Sequence, residues 1–141
     1  MSMNARSNSA SLTKIPMKPD WTALRQLRER SGRRAENAAA LWLRLKGYRI
    51  LERRARTPMG EIDLIAARGK MLIFIEVKSR PTIPAAQEAV TPDLRRRVAD
   101  AARLWVSRQR GLQDWLWRFD IVALAPGRFP RHIKDAWRAE S

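Results

Sequence analysis

The stretch from Gly60 to Arg80, GEIDLIAARGKMLIFIEVKSR, decides the fold. Two apolar runs flank Arg68-Gly69, which predicts two strands joined by a short turn. Asp63 falls on the first strand, and Glu76 and Lys78 on the second, in the pattern Ile-Glu-Val-Lys. A core strand normally carries Val, Ile and Phe, because an unpartnered charge is costly to bury. Two carboxylates and an ammonium here interrupt the most apolar part of the chain. A divalent cation between the carboxylates would offset that cost. A buried salt-bridge network without metal is the other arrangement this spacing allows.

The pairing can be laid out from the turn. A two-residue loop at Arg68-Gly69 sets Ala67 opposite Lys70 and Asp63 opposite Phe74. Side chains alternate faces along a strand. Asp63, Phe74, Glu76 and Lys78 then share one face, with Asp63 and Glu76 as diagonal neighbours roughly 7–8 Å apart. A three-residue loop would turn Glu76 to the opposite face, so the reading requires an even loop.

Further blocks surround this hairpin: Ala35-Glu36, Gly60-Glu61-Ile62-Asp63, Phe74-Ile75-Glu76-Val77-Lys78 and Arg118-Phe119-Asp120. Asp63 followed by Glu76-Val77-Lys78 resembles the PD-(D/E)XK nuclease signature. The blocks in this order resemble the bacterial YraN-type, endonuclease-like family, related in fold to archaeal Holliday-junction resolvases, over about Ser31 to Trp137. The resemblance implies an α/β fold: a restriction-endonuclease-like mixed β-sheet flanked by α-helices. It implies a metal-dependent endonuclease acting on DNA, with branched structures as candidate substrates. Asp63, Glu76 and Lys78 would be catalytic. Asp63, Glu76, the Val77 carbonyl and Glu36 would surround Mg²⁺ or Mn²⁺. It also implies a homodimer, since two strands must be cut in concert. A catalytically inactive nucleic-acid-binding protein of the same fold, and a basic protein on ribosomal RNA, are the alternatives.

Composition narrows the partners. A chain of 141 residues suits one domain with a real core, and a formal net charge of +15 with a pI near 11.7 favours a polyanion. Nucleic acid is the commonest polyanion, and the resemblance puts DNA ahead of RNA. The chain has no cysteine, which excludes disulfide and thiol chemistry and suits a reducing cytoplasm. No apolar run approaches the roughly 20 residues of a membrane span, and the N-terminus lacks the apolar core of a secretion signal.

Working outward, residues 1–20 are rich in Ser, Asn, Lys and Pro and read as a disordered basic arm, with Lys14 and Lys18 available to a phosphate backbone. Residues 21–141 form the nuclease-like domain. A helix is predicted over about Thr22 to Lys46, with a break near Ser31-Gly32 and an end at Gly47. Its apolar stripe is Ala35, Ala38, Ala39, Trp42 and Leu45. Glu36 lies at the edge of that stripe. It either pairs with Arg33 or Arg34 on the surface or, as the resemblance implies, reaches the metal site. Tyr48 to Arg54 reads as the first strand. Arg53, Arg54 and Arg56 either hold a backbone phosphate or form a solvated edge that discourages aggregation.

Beyond Arg80, itself a candidate phosphate contact, Pro81 and Pro84 open a loop, and a short helical or bent segment follows at Gln87 to Val90. A second long helix is predicted from Pro92 to Gln109, with Leu94, Val98, Ala101, Ala102 and Trp105 buried. The resemblance implies a lysine near its start, where the sequence has Asp93-Leu94. Arg95, Arg96 and Arg97 are the candidates to replace it at the phosphate. Trp117 to Ala123 reads as the fourth strand, and Asp120 is either a third carboxylate near the site or, as the favoured reading, structural and paired to an arginine such as Arg118 or Arg97. Arg131 to Trp137 reads as a last short strand and a helical turn. His132, the only histidine, is assigned no catalytic role.

Overall fold

The computed structural model of the protein describes residues 21–139. The predicted basic arm, with Lys14 and Lys18, lies outside the described residues. Among the described residues the chain divides after Ser31. All strands, and every candidate residue outside the arm, lie after that division. In order, the elements are α1 (Trp21–Leu45), β1 (Arg49–Thr57), β2 (Gly60–Arg68), β3 (Met71–Ser79), α2 (Ile83–Glu88), α3 (Pro92–Ser107), β4 (Leu116–Leu124) and β5 (Arg131–Trp137).

The strands form one mixed sheet in the order β1-β2-β3-β4-β5. β3 and β4 are parallel, joined through α2 and α3, and the other neighbours are antiparallel. Leu72 to Val77 is buried without a break, as expected of a strand covered on both faces. On one face Val98, Ala101, Ala102 and Trp105 of α3 pack with Ile65, Leu72, Phe74 and Phe119. On the other, Ala39, Ala40 and Leu43 of α1 pack with Leu64, Ala66, Ile73, Ile75 and Val122. This is an α/β fold, consistent with the restriction-endonuclease-like class. No described helix is long and apolar enough to cross a membrane.

Several elements differ from the sequence reading. α1 is assigned without a break at Ser31-Gly32, although the division falls there. Its buried residues are Glu36, Ala39, Ala40 and Leu43, one residue round from the predicted stripe. Ala38 and Leu45 face outward, and Trp42 is half-buried, stacked on Phe129 at 5.9 Å. The stripe was misplaced because the buried set includes a carboxylate, which an apolar count passes over. Pro84 lies in the first turn of α2, capped by Thr82, rather than in a loop. Thr91 caps α3, accepting a hydrogen bond from the Leu94 N–H. Arg131–Trp137 is strand throughout, because Trp137 pairs with Phe119 and stacks on its ring at 5.2 Å.

Candidate active site

The β2–β3 turn sets the geometry. Arg68 pairs with Met71, so the loop residues are Gly69-Lys70. Gly69 has φ +59°, as a type II′ turn needs at its first central position. The sequence reading placed this turn one residue early, so the register moves by two. Extended along the strands, it sets Asp63 level with Glu76 rather than with Phe74. Because the shift is even, the faces are unchanged. Glu76 and Lys78 lie on the same side as Phe74, and the two carboxylates face each other directly.

Asp63 Oδ2 accepts a hydrogen bond from the Val77 N–H at 2.8 Å, and the two carboxyl groups share a further hydrogen bond. Burial, followed by the charge of Asp63 and that shared bond, pushes Glu76 up to about 9. Asp63 is raised as well, above all by burial, with the bonds from Val77 and Glu76 pulling against it. Glu76 therefore keeps its proton near neutral pH, in the hydrogen bond it shares with Asp63. The Lys78 ammonium attracts both groups. At Val77 it is the N–H that engages Asp63, which leaves the carbonyl named in the sequence reading outside that bond.

Glu36 is buried, 7% exposed, and Arg54 donates to its Oε1 at 2.6 Å. Neither Arg33 nor Arg34 is its partner in this pair. Its charge reaches Asp63 and opposes ionisation there. Among the described residues no three His, Cys, Asp or Glu side chains gather closely enough to hold a metal together. Arg54 has φ +52°, a left-handed conformation that costs an L-residue about 1–2 kcal/mol. Its ion pair with Glu36 holds it there. Gly60 (φ +146°) opens β2 beside the backbone of Arg97 on α3, a conformation open to glycine and strained for other residues.

The candidate phosphate contacts are dispersed. Arg53 bonds the Asn37 side chain. Arg56 is exposed and lies 3.5 Å from Glu61. Arg80 is exposed and donates to the Ser79 carbonyl. Arg96 pairs with Asp93, and Arg97 is exposed beside Gly60. Arg95 donates to the Val90 carbonyl at 3.1 Å and lies over the Trp137 ring. Arg54, engaged by Glu36, is the least free of the set.

A polar network absent from the sequence reading lies on the α1 side of the sheet. Asp120 is fully buried. Arg118 bonds both its oxygens, at 2.9 and 2.7 Å, and the Asp135 N–H donates to Oδ1 at 2.9 Å. His132 Nε2 lies 2.6 Å from Oδ2, while its Nδ1 lies 2.7 Å from Lys46 Nζ. Arg118 also donates to the Tyr48 hydroxyl at 2.9 Å. Burial alone would raise Asp120, but the bonds from His132, Arg118 and Asp135 hold it below the usual carboxylate range. The pairing of Asp120 with Arg118 agrees with the sequence reading. The His132 side chain, given no catalytic role above, is 2% exposed and sits at the centre of this network. Lys46, Asp120 and His132 are too far apart in sequence for spacing to connect them. The only signal was a second carboxylate inside an apolar strand.

Residues 35–124 match the uncharacterised protein family UPF0102. A UPF0102 protein of Caulobacter vibrioides strain NA1000 is 57% identical over 106 residues, covering 75% of this chain and 85% of the relative. One from Caulobacter sp. strain K31 is 50% identical over 126 residues, covering 86% and 91%. One from Chelativorans sp. strain BNC1 is 50% identical over 115 residues, covering 82% and 93%.

Proposed function

We infer, for a chain that belongs to the uncharacterised protein family UPF0102, a metal-dependent endonuclease that hydrolyses DNA phosphodiester bonds. The observation that carries this reading is the pair Asp63–Glu76 facing each other across β2 and β3, with Glu76 buried and Lys78 two residues along the same face. A divalent cation suits this donor set. Mg²⁺ is commonly held by one or two carboxylates, with water and substrate phosphate completing its shell. The shared proton is what such an ion would displace. Mg²⁺ or Mn²⁺ bound there would supply Lewis-acid chemistry, lowering the pKa of a bound water and offsetting charge on the phosphate.

The chain's own groups do the rest. Asp63 is held in place by the Val77 N–H and presents its remaining lone pairs. Glu76 gives up the shared proton and becomes the second anionic donor. Lys78, two residues on and so on the same face as Glu76, orients the attacking water and offsets the negative charge that builds on the phosphate. Its compact charge on a flexible stem suits that task. Glu36 fixes Arg54 and adds negative potential without joining the pair. Arg53, Arg56, Arg80 and Arg97 supply affinity for the phosphate backbone.

The test is cleavage of labelled linear, flapped and four-way-junction DNA in Mg²⁺, Mn²⁺ or EDTA. Cutting should require metal, and the ranking of substrates names the preferred structure. Equal binding of all three with no cutting under either metal would instead describe a nucleic-acid-binding protein of nuclease-like fold.

A further inference from the structure

A cavity of about 500 Å³ opens between α3 and the end of β5, away from any residue assigned above except Arg95 and Arg96. Its volume falls in the range of small-ligand sites, about 300–1,000 Å³. One face of α3 contributes Arg95, Arg96 and Arg103, and the chain after β5 contributes Arg138, with Asp100 the one carboxylate of the lining among the described residues. Trp137 and Ala99 give the cavity an apolar side.

Arg96 and Arg138 are exposed, and each meets a carboxylate three residues away, a contact of small worth that a better anion displaces. Arg95 has no carboxylate partner among the described residues, and its guanidinium lies 5.9 Å from the centre of the Trp137 ring. The Trp137 Nε1 is a buried donor with no hydrogen-bond partner among the described residues. Buried donors are rarely left so, and an incoming acceptor that lets the indole shift would resolve it.

The cavity also lies on the working face of the sheet. Phe74 pairs with Phe119, and Phe119 with Trp137, so Trp137 stands on the same face as Glu76. Two strand spacings across and two residues along place their Cα atoms roughly 12 Å apart.

We propose that this cavity binds a 5′-phosphorylated nucleotide at the end of a nucleic-acid strand, with the phosphate on Arg95 and Arg96 and the base against the arginine-covered Trp137 side. Bidentate guanidinium–phosphate bonding and the stacking of bases on aromatic and arginine planes favour this ligand over a plain anion. The proposal takes the strand from the nuclease reading and concerns a second contact on that strand, separate from the carboxylates.

The test is fluorescence anisotropy of a short single-stranded oligodeoxynucleotide labelled at its 3′ end, with and without a 5′-phosphate, at fixed salt in EDTA. Wild-type protein should prefer the phosphorylated strand by about tenfold, the loss expected for a charge-assisted contact. Free dAMP should compete and deoxyadenosine should not. Arg95→Ala and Arg96→Ala should erase the preference. Arg44→Ala, which removes the same charge elsewhere, should weaken both strands equally and keep it. No preference in wild type, a preference that survives both cavity variants, or equal competition by polyglutamate would overturn the proposal. Because the assay contains no metal, it is independent of cleavage. A nuclease without this subsite would still cut in Mg²⁺, and a protein with inert carboxylates would still show the preference.

Discussion

Glu76 and Asp63 face each other across two antiparallel strands with a proton between them, and that proton gives the pair a pH signature. Glu76 is raised from its ordinary value to about 9, so between roughly pH 4.5 and 9 the folded protein binds more protons than the unfolded chain. The stability from Glu76 is therefore full below pH 4.5 and declines as pH rises towards 9. Metal-free protein should melt at progressively lower temperature across that window. Mg²⁺ or Mn²⁺ should restore stability increasingly with pH, because the cation replaces the proton. Thermal melts with and without EDTA at several pH values check both slopes. The Glu76→Gln variant should lose the decline, and a decline that persists in it would assign the effect elsewhere.

Lys78 makes a separate prediction. A charge placed where negative charge develops contributes about 10²–10³-fold to the chemical step. Lys78→Ala should therefore lower single-turnover cleavage by about that factor, with DNA affinity nearly unchanged. A matching loss of affinity would make Lys78 a general phosphate contact instead.

At the scale of elements, alternation and turn residues were enough to place the β2–β3 hairpin and the shared face of Glu76, Lys78 and Phe74. Register was less legible, because Arg68-Gly69 and Gly69-Lys70 both make even loops and differ only in where glycine's positive φ is needed. Helix α1 was misread for a different reason. Its buried face contains Glu36, whose charge is compensated by Arg54 from β1, and no helical period reports a partner on a strand. The same holds for Asp120, whose partners Arg118, His132 and Asp135 come together only when β4 and β5 pair. Trp137 was placed on a short strand and helical turn, so neither its stack on Phe119 nor the cavity beside it could be anticipated.

These pairs carry measurable stability. Asp120→Ala strands Arg118 and His132 and should destabilise the protein by about 3–5 kcal/mol, read by chemical denaturation. Arg54→Ala leaves the Glu36 charge buried. Arg54→Gly does the same but relaxes the left-handed backbone, and should recover about 1 kcal/mol of that loss. If Arg54→Gly is the less stable of the two, the backbone conformation at Arg54 is not strained.

At the scale of the whole molecule, a net charge of +15 makes nucleic-acid affinity strongly dependent on salt. Roughly six phosphate contacts would lower it by about three orders of magnitude between about 50 and 200 mM salt, measurable by filter binding. Charge of this kind brings the substrate in but does not cut it, and the candidate arginines are spread over β1, the residue after β3, α3 and the chain after β5. The sheet converts that diffuse attraction into chemistry at one place, where the carboxylates of β2 and β3 meet beside Lys78.

The measurement closest to that claim is single-turnover cleavage of four-way-junction DNA in Mn²⁺ by wild type, Asp63→Asn and Glu76→Gln, with binding recorded in parallel. Cutting by wild type that falls at least about a thousandfold in both variants, while binding stays within a few-fold, is the result predicted when a carboxylate pair generates the nucleophile. Cutting that survives either substitution, or no cutting by wild type under either metal, contradicts it.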